Sequence, residues 1–204
     1  MGDTVSTAPC ELHEAPPQVQ RPSGPDRPEA EKVWLALTPL TPRAANIVGL
    51  PTAYHSSVAV AGVEYSFSDS TGVVCTAVKN KSILKKQADL LLESHKKVQG
   101  PSILLPMGGT RLSGPEMAKV LMRHFQQDTY DLLLKNCNHF SDCALFFLLG
   151  RRLPAEFCQA EQMAPGGLVG TLSLGTYSQN PNALHFSLAS TLESLAAERK
   201  RRKC

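Results

Sequence analysis

The chain has no run of eighteen apolar residues, no CxxC pair, no internal repeat and no excess of charge of one sign through its body. Each absence excludes something. Without a long apolar run there is no transmembrane helix to expect, and the opening MGDTVSTAPC offers no basic segment leading into an apolar one, so a secreted protein is not expected either. The six cysteines (10, 75, 137, 143, 158 and 204) are scattered, which spells neither a zinc ribbon nor a dense disulfide framework. A reducing compartment with free thiols follows as the expected setting. The formal charge is only +3, and its basic residues gather in ERKRRKC (198–204), so nucleic-acid binding by the folded body is not expected. Cytoplasm is the expected location, and the basic tail reads as a solvated end, a nuclear address or a weak contact with anionic lipid. Gly2 and Ser6 satisfy the bare myristoylation pattern, but acidic Asp3 beside the acceptor glycine counts against a lipid anchor.

What is present is ordinary globular composition, 42% hydrophobic and 19% charged, in 204 residues: enough for one full core with tails. Residues 1–30 carry six prolines and few large apolar side chains, and read as a disordered arm. A domain is expected over 31–160, followed by a turn-rich extension over 161–204 with a terminal amphipathic helix and the basic tail.

Within the domain, EKVWLALTPL (31–40) predicts a first strand. YHSSVAVAGVEYSF (54–67) predicts a hairpin, because alternating β-rich runs at 56–60 and 63–67 are parted by Ala61-Gly62. TGVVCTAV (71–78) extends that sheet, and SILKKQADLLLESHKKV (82–98) has helical spacing with lysines outward. SILLPMG (102–108) returns to strand. Ser113 and Glu116 then stand at capping-box spacing around Pro115, opening a helix with Met117, Val120, Leu121 and Phe125 on its inner face. TYDLLL (129–134) reads as a strand. SDCALFFLL (141–149) reads as a helix apolar nearly all round, ended by Gly150 and therefore central.

Cys137 in LLLKNCNHFSDC falls where that helix should begin, with Asn136 and Asn138 as candidate caps. A thiol attacks as thiolate, and unpaired N–H groups and the dipole at a helix N-terminus favour that anion. The same N–H groups are candidate oxyanion donors. A cysteine nucleophile also wants an imidazole. His139, at i+2, points to another side of the helix. His55, beside Tyr54 at the start of the hairpin, is where a sheet presents a base to a helix end, as one of six histidines. Against this, cysteines entering apolar helices are mostly buried structure; Cys143 and Cys158 read that way, and Cys75 reads as strand core. His95 reads as solvated on a lysine-rich helix and His124 as a satisfied helix histidine. The C-x-H-x3-C spacing of Cys137, His139 and Cys143 is not a usual zinc pattern, so no metal and no cofactor is expected.

YHSSVAVAGVEYSFS, MGGTRLSGPEM and YDLLLKNCNHFSDCALFFLLGRRLP, in that order from about residue 33 to 157, resemble the PPPDE family, permuted papain-fold peptidases that include desumoylating isopeptidases. The resemblance implies an α+β, permuted papain-like fold: a small antiparallel sheet packed on helices, with the nucleophile at the N-terminus of a central helix. It implies a Cys–His dyad of Cys137 and His55, no cofactor, and partners that are conjugates of ubiquitin or a SUMO-like modifier. No third, orienting acid or amide is identified by motif. The alternatives are a thioesterase on S-acylated proteins, or an acyltransferase like the lecithin:retinol acyltransferase group, with the same dyad. A further alternative is a non-catalytic binding module on the same fold.

Overall fold

A computed structural model describes residues 29–40, 52–78, 92–96, 98, 103–158 and 177–203. The N-terminal arm, most of the lysine-rich stretch at 79–91, and 159–176 lie outside the described residues.

Five antiparallel strands form one sheet in the order β4-β3-β2-β1-β5: β1 Glu31–Pro39, β2 Tyr54–Val60, β3 Val63–Ser68, β4 Gly72–Ala77 and β5 Ile103–Thr110. The expected hairpin is there. Ala61 and Gly62 both take positive φ (52° and 76°), the geometry of a two-residue turn whose twist matches its strands. The β1–β2 register sets Leu35 opposite Val58 and Thr38 opposite His55.

Because side chains alternate across a strand, that register gives the sheet two different faces. Val33, Leu35, Leu37, Val58, Val60, Tyr65 and Phe67 are buried in the main core with the helices. Ala36, Leu92 and Leu104, with Val78 and Trp34, form a small second cluster on the other face. A single 3-10 turn, Glu93–His95, belongs to that second face. These three residues fall inside the helix expected over 82–98, and His95 is only 4% exposed, so its reading as a solvated histidine is wrong.

Among the described residues three helices lie on the main-core side: α1 Gly114–Leu121, α2 Cys137–Leu149 and α3 Leu188–Lys203. Ser113 caps α1 by accepting from the Glu116 amide, and Met117, Val120, Leu121 and Phe125 are buried as their spacing predicts. α2 is central, buried between sheet and neighbouring helices, and ends at Gly150 in the left-handed conformation (φ 72°). α3 crosses its C-terminal end, where Arg199 Nε donates to the Phe147 carbonyl at 2.9 Å. Part of the basic tail is thus helix structure, with Arg202 paired to Glu116 at 2.9 Å.

TYDLLL is not a strand. The Asp131 carboxylate accepts from the amides of Leu133 and Leu134, both at 2.8 Å, which folds the backbone into a turn closed by an Asp131–Lys135 bridge. Cys75, on β4, takes part in a disulfide, so it is not the free core thiol expected. No helix among the described residues is long and apolar enough to cross a membrane.

Candidate active site

The site is built where α2 begins. Asn136 is the N-cap: its Oδ1 accepts from the amides of Asn138 (2.9 Å) and His139 (3.1 Å), while its Nδ2 donates to Leu132 O at 2.8 Å. His139 completes the capping box, its Nδ1 lying 3.3 Å from the Asn136 amide. The cap therefore consumes donors that the sequence offered to an oxyanion. The amides of Asn138 and His139 serve Asn136 Oδ1, and that of Phe140 donates to Asn136 O at 3.1 Å.

Cys137 occupies the first helical position and is 3% exposed. Its Sγ lies 3.9 Å from the Tyr54 carbonyl oxygen and 3.9 Å from the Tyr130 hydroxyl, which donates toward it. Asn138 is a buried strut rather than a cap. Its Nδ2 donates to Tyr54 O and to Phe157 O, each at 3.2 Å, and its Oδ1 accepts from Ser56 Oγ at 2.6 Å. One side chain thus joins the start of β2, the first turn of α2 and the segment after LLGRRLP. That segment is also held by Asp142, which accepts from Arg152 (2.6 Å) and from the Leu153 amide (2.8 Å). The Tyr54 ring packs edge-on against Phe157, with centroids 5.3 Å apart.

This arrangement follows from how β2 meets its neighbours. The β2–β3 pairing runs only from Val58–Tyr65 to Val60–Val63, so at 54–57 the β3 side of β2 carries no strand. The Ala53 carbonyl takes the Leu40 amide on the β1 side. The next carbonyl, Tyr54, therefore points to the vacated side, where Cys137 and Asn138 meet it.

The His55 ring is on the second face. Its Nε2 is 3.0 Å from Ser94 Oγ and its ring centroid 4.6 Å from that of His95. Ser94 Oγ donates to Glu64, and His95 binds Thr38 Oγ1 (2.7 Å) through Nδ1 and Ser57 Oγ (3.0 Å) through Nε2. Burial pushes the His55 pKa down to about 4. Burial, then the neighbouring His55 charge, pushes His95 to about 3. Both imidazoles are neutral near pH 7.

Cys137, Asn136, Asn138 and Tyr54 thus converge at one point. His55 contributes the peptide beside the thiol, since Sγ touches the carbonyl of the Tyr54–His55 bond, while its ring pairs with Ser94. Sequence reasoning missed Tyr130, Ser56, Ser94 and Glu64. Only the i, i+2 alternation of β2 carried a trace, by setting Ser56 and Ser57 on opposite faces. Beside the first turn of α2 is a cavity of about 320 Å³, lined by Asn138, His139, Asp142, Arg152, Leu153 and Leu188 among others.

The arrangement is a thiol at a capped helix start, a hydroxyl donor beside it, and an imidazole one peptide away. No curated protein matches the chain. Its sequence does match the family described as the PPPDE putative peptidase domain over residues 28–165, more than half of its length, and the chain belongs to that family.

Proposed function

We propose that the chain is a cysteine isopeptidase that removes ubiquitin or a SUMO-like modifier from lysine side chains, with Cys137 as nucleophile and His55 as base and then acid. The observation that carries the reading is the position of Cys137 Sγ, at the first residue of α2 and 3.9 Å from the carbonyl of the peptide that leads into His55.

In the reaction the Cys137 thiol proton passes to His55 and the thiolate adds to the isopeptide carbonyl carbon. The C–N bond then breaks as the imidazolium returns that proton to the departing lysine amine. Water, deprotonated by His55, attacks the resulting thioester; the C–S bond breaks and the thiolate recovers the proton. The Tyr130 hydroxyl, beside Sγ, is the side-chain donor placed to hold the oxyanion. Asn136, Asn138 and the Tyr54 backbone fix the nucleophile's position.

Covalent capture tests the proposal. The purified chain and its Cys137→Ala, His55→Ala and Tyr130→Phe variants are incubated with ubiquitin and SUMO bearing C-terminal thiol-reactive groups, and adducts are read by intact mass. The expected result is an adduct with one modifier, abolished by Cys137→Ala and slowed by the other two. Absence of any adduct, from protein in which Cys137 is alkylated rapidly at neutral pH, refutes the isopeptidase reading.

A further inference from the structure

The hydrogen count around His55 determines more than its location. A carboxylate has only acceptors, and Glu64, buried on β3, accepts from both groups that Ser94 offers: its amide, at 3.4 Å, and its hydroxyl. A serine hydroxyl has one proton. With that proton directed to Glu64, Ser94 Oγ meets His55 Nε2, 3.0 Å away, as an acceptor. The hydrogen must then come from the imidazole. A neutral imidazole carries one N–H, so placing it on Nε2 leaves the lone pair on Nδ1, which has no hydrogen-bond partner among the described residues. Nδ1 is the nitrogen a general base needs.

Resting on the reading of Cys137 and His55 as the working pair, we propose that Glu64, acting through Ser94, is the orienting acid that fixes His55 in its Nε2–H tautomer and supports the imidazolium formed during catalysis. Glu64 and Ser94 are positioning residues, since neither reaches the thiol. Three chain segments supply the relay: β2 the imidazole, β3 the carboxylate, and the 93–95 turn the bridging hydroxyl. The other titratable group against His55 is His95. Both its nitrogens are engaged, by Thr38 and Ser57, so it packs against the relay without entering it. The charge of Glu64 gains importance as the reaction proceeds. While His55 is neutral the relay only orients it. Once His55 takes the thiol proton, Nε2–H becomes a charged donor, and the carboxylate two bonds away opposes that positive charge.

The test reads tautomer and rate separately. In the full chain with ¹⁵N-labelled histidine, long-range ¹H–¹⁵N correlation at pH 7 identifies which His55 nitrogen carries hydrogen, with His55→Gln providing the assignment. The wild type is expected to show Nε2–H. Ser94→Ala is expected to give a mixture of tautomers and to slow adduct formation at pH 7 by about tenfold, the worth of one hydrogen bond to a group that becomes charged. Ser94→Thr, which keeps the hydroxyl, restores both. Glu64→Gln keeps an acceptor for Ser94 but removes the charge, so it retains the tautomer and loses rate, a result that no simple loss of folding produces. An Nδ1–H tautomer in the wild type, or a Ser94→Ala protein with unchanged tautomer and rate, overturns the relay and leaves the Cys137–His55 reading standing if His55→Ala still slows the adduct. An adduct rate indifferent to His55→Ala defeats the working pair itself, and the relay with it, whatever the tautomer.

Discussion

Two neutral histidines, His95 buried and His55 half-buried, make the fold sensitive to acid in a window where carboxylates are silent. His55 and His95 have folded-state pKa values of about 4 and about 3, against an ordinary 6.5. A depressed folded pKa means that the unfolded chain takes up the proton first. Stability therefore falls as pH drops below about 6.5 and keeps falling until the folded value is reached. With 1.36 kcal/mol per unit, lowering the pH from 7.5 to 5 costs about 2 kcal/mol at each histidine. The His55 charge is one cause of the His95 shift, so the two titrate as a pair and their sum, about 4 kcal/mol, is an upper figure. His124, also lowered by burial and by Lys135 and Arg123, acts in the same direction. Asp131 acts only in stronger acid, because its pKa lies below the ordinary 3.8. The assay is urea unfolding at pH 7.5 and pH 5, followed by near-ultraviolet circular dichroism, for the wild type and for His95→Gln. The expected loss in the wild type is a large part of a typical domain stability of about 5–15 kcal/mol. His95→Gln, though less stable at pH 7.5, should lose about 2 kcal/mol less between the two pH values. Equal pH dependence in the two proteins would refute the burial of His95 and the packing of the 93–95 turn on the sheet.

Replacing Asn138 with alanine removes three hydrogen bonds and strands the buried Phe157 carbonyl, and at about 1 kcal/mol each the expected loss is about 3 kcal/mol in urea unfolding, with slower capture at Cys137. Cys143 is fully buried with its thiol pKa pushed far up, so iodoacetamide at pH 8 should label Cys137 and Cys158 while Cys143, separated from Cys137 by chymotryptic cleavage after Phe140, stays unmodified by mass. Gly114→Ala places a Cβ 2.5 Å from the Tyr65 hydroxyl and 2.9 Å from Val60 Cγ1; the core must shift, and a loss of about 1–3 kcal/mol is expected in the same unfolding assay.

What the amino-acid sequence determined by itself is the structure that depends on neighbours in the chain. Ala61-Gly62 between alternating runs made a hairpin, Ser113 and Glu116 opened α1, and Gly150 ended α2, because turns and caps are settled by groups a few residues apart. The placing of Cys137 at the start of a central helix was legible for the same reason. TYDLLL shows where the local pattern misleads. Its apolar residues suit a strand, but Asp131 takes local amides together with the Tyr177 hydroxyl and the Asn180 amide from 46 and 49 residues away, and those bonds hold a turn.

The surroundings of the thiol and the imidazole were decided only by tertiary structure. Asn138 reads as a helix cap until the fold sets two carbonyls, from β2 and from Phe157, against its amide. His95 reads as solvated until Thr38 and Ser57 meet it from adjacent strands. Glu64, Ser94 and His55 lie 30 and 39 residues apart at their two contacts, and no periodicity links them. Buried polar groups find partners through strand register and the face on which each side chain emerges, and register is a property of paired strands rather than of any one segment.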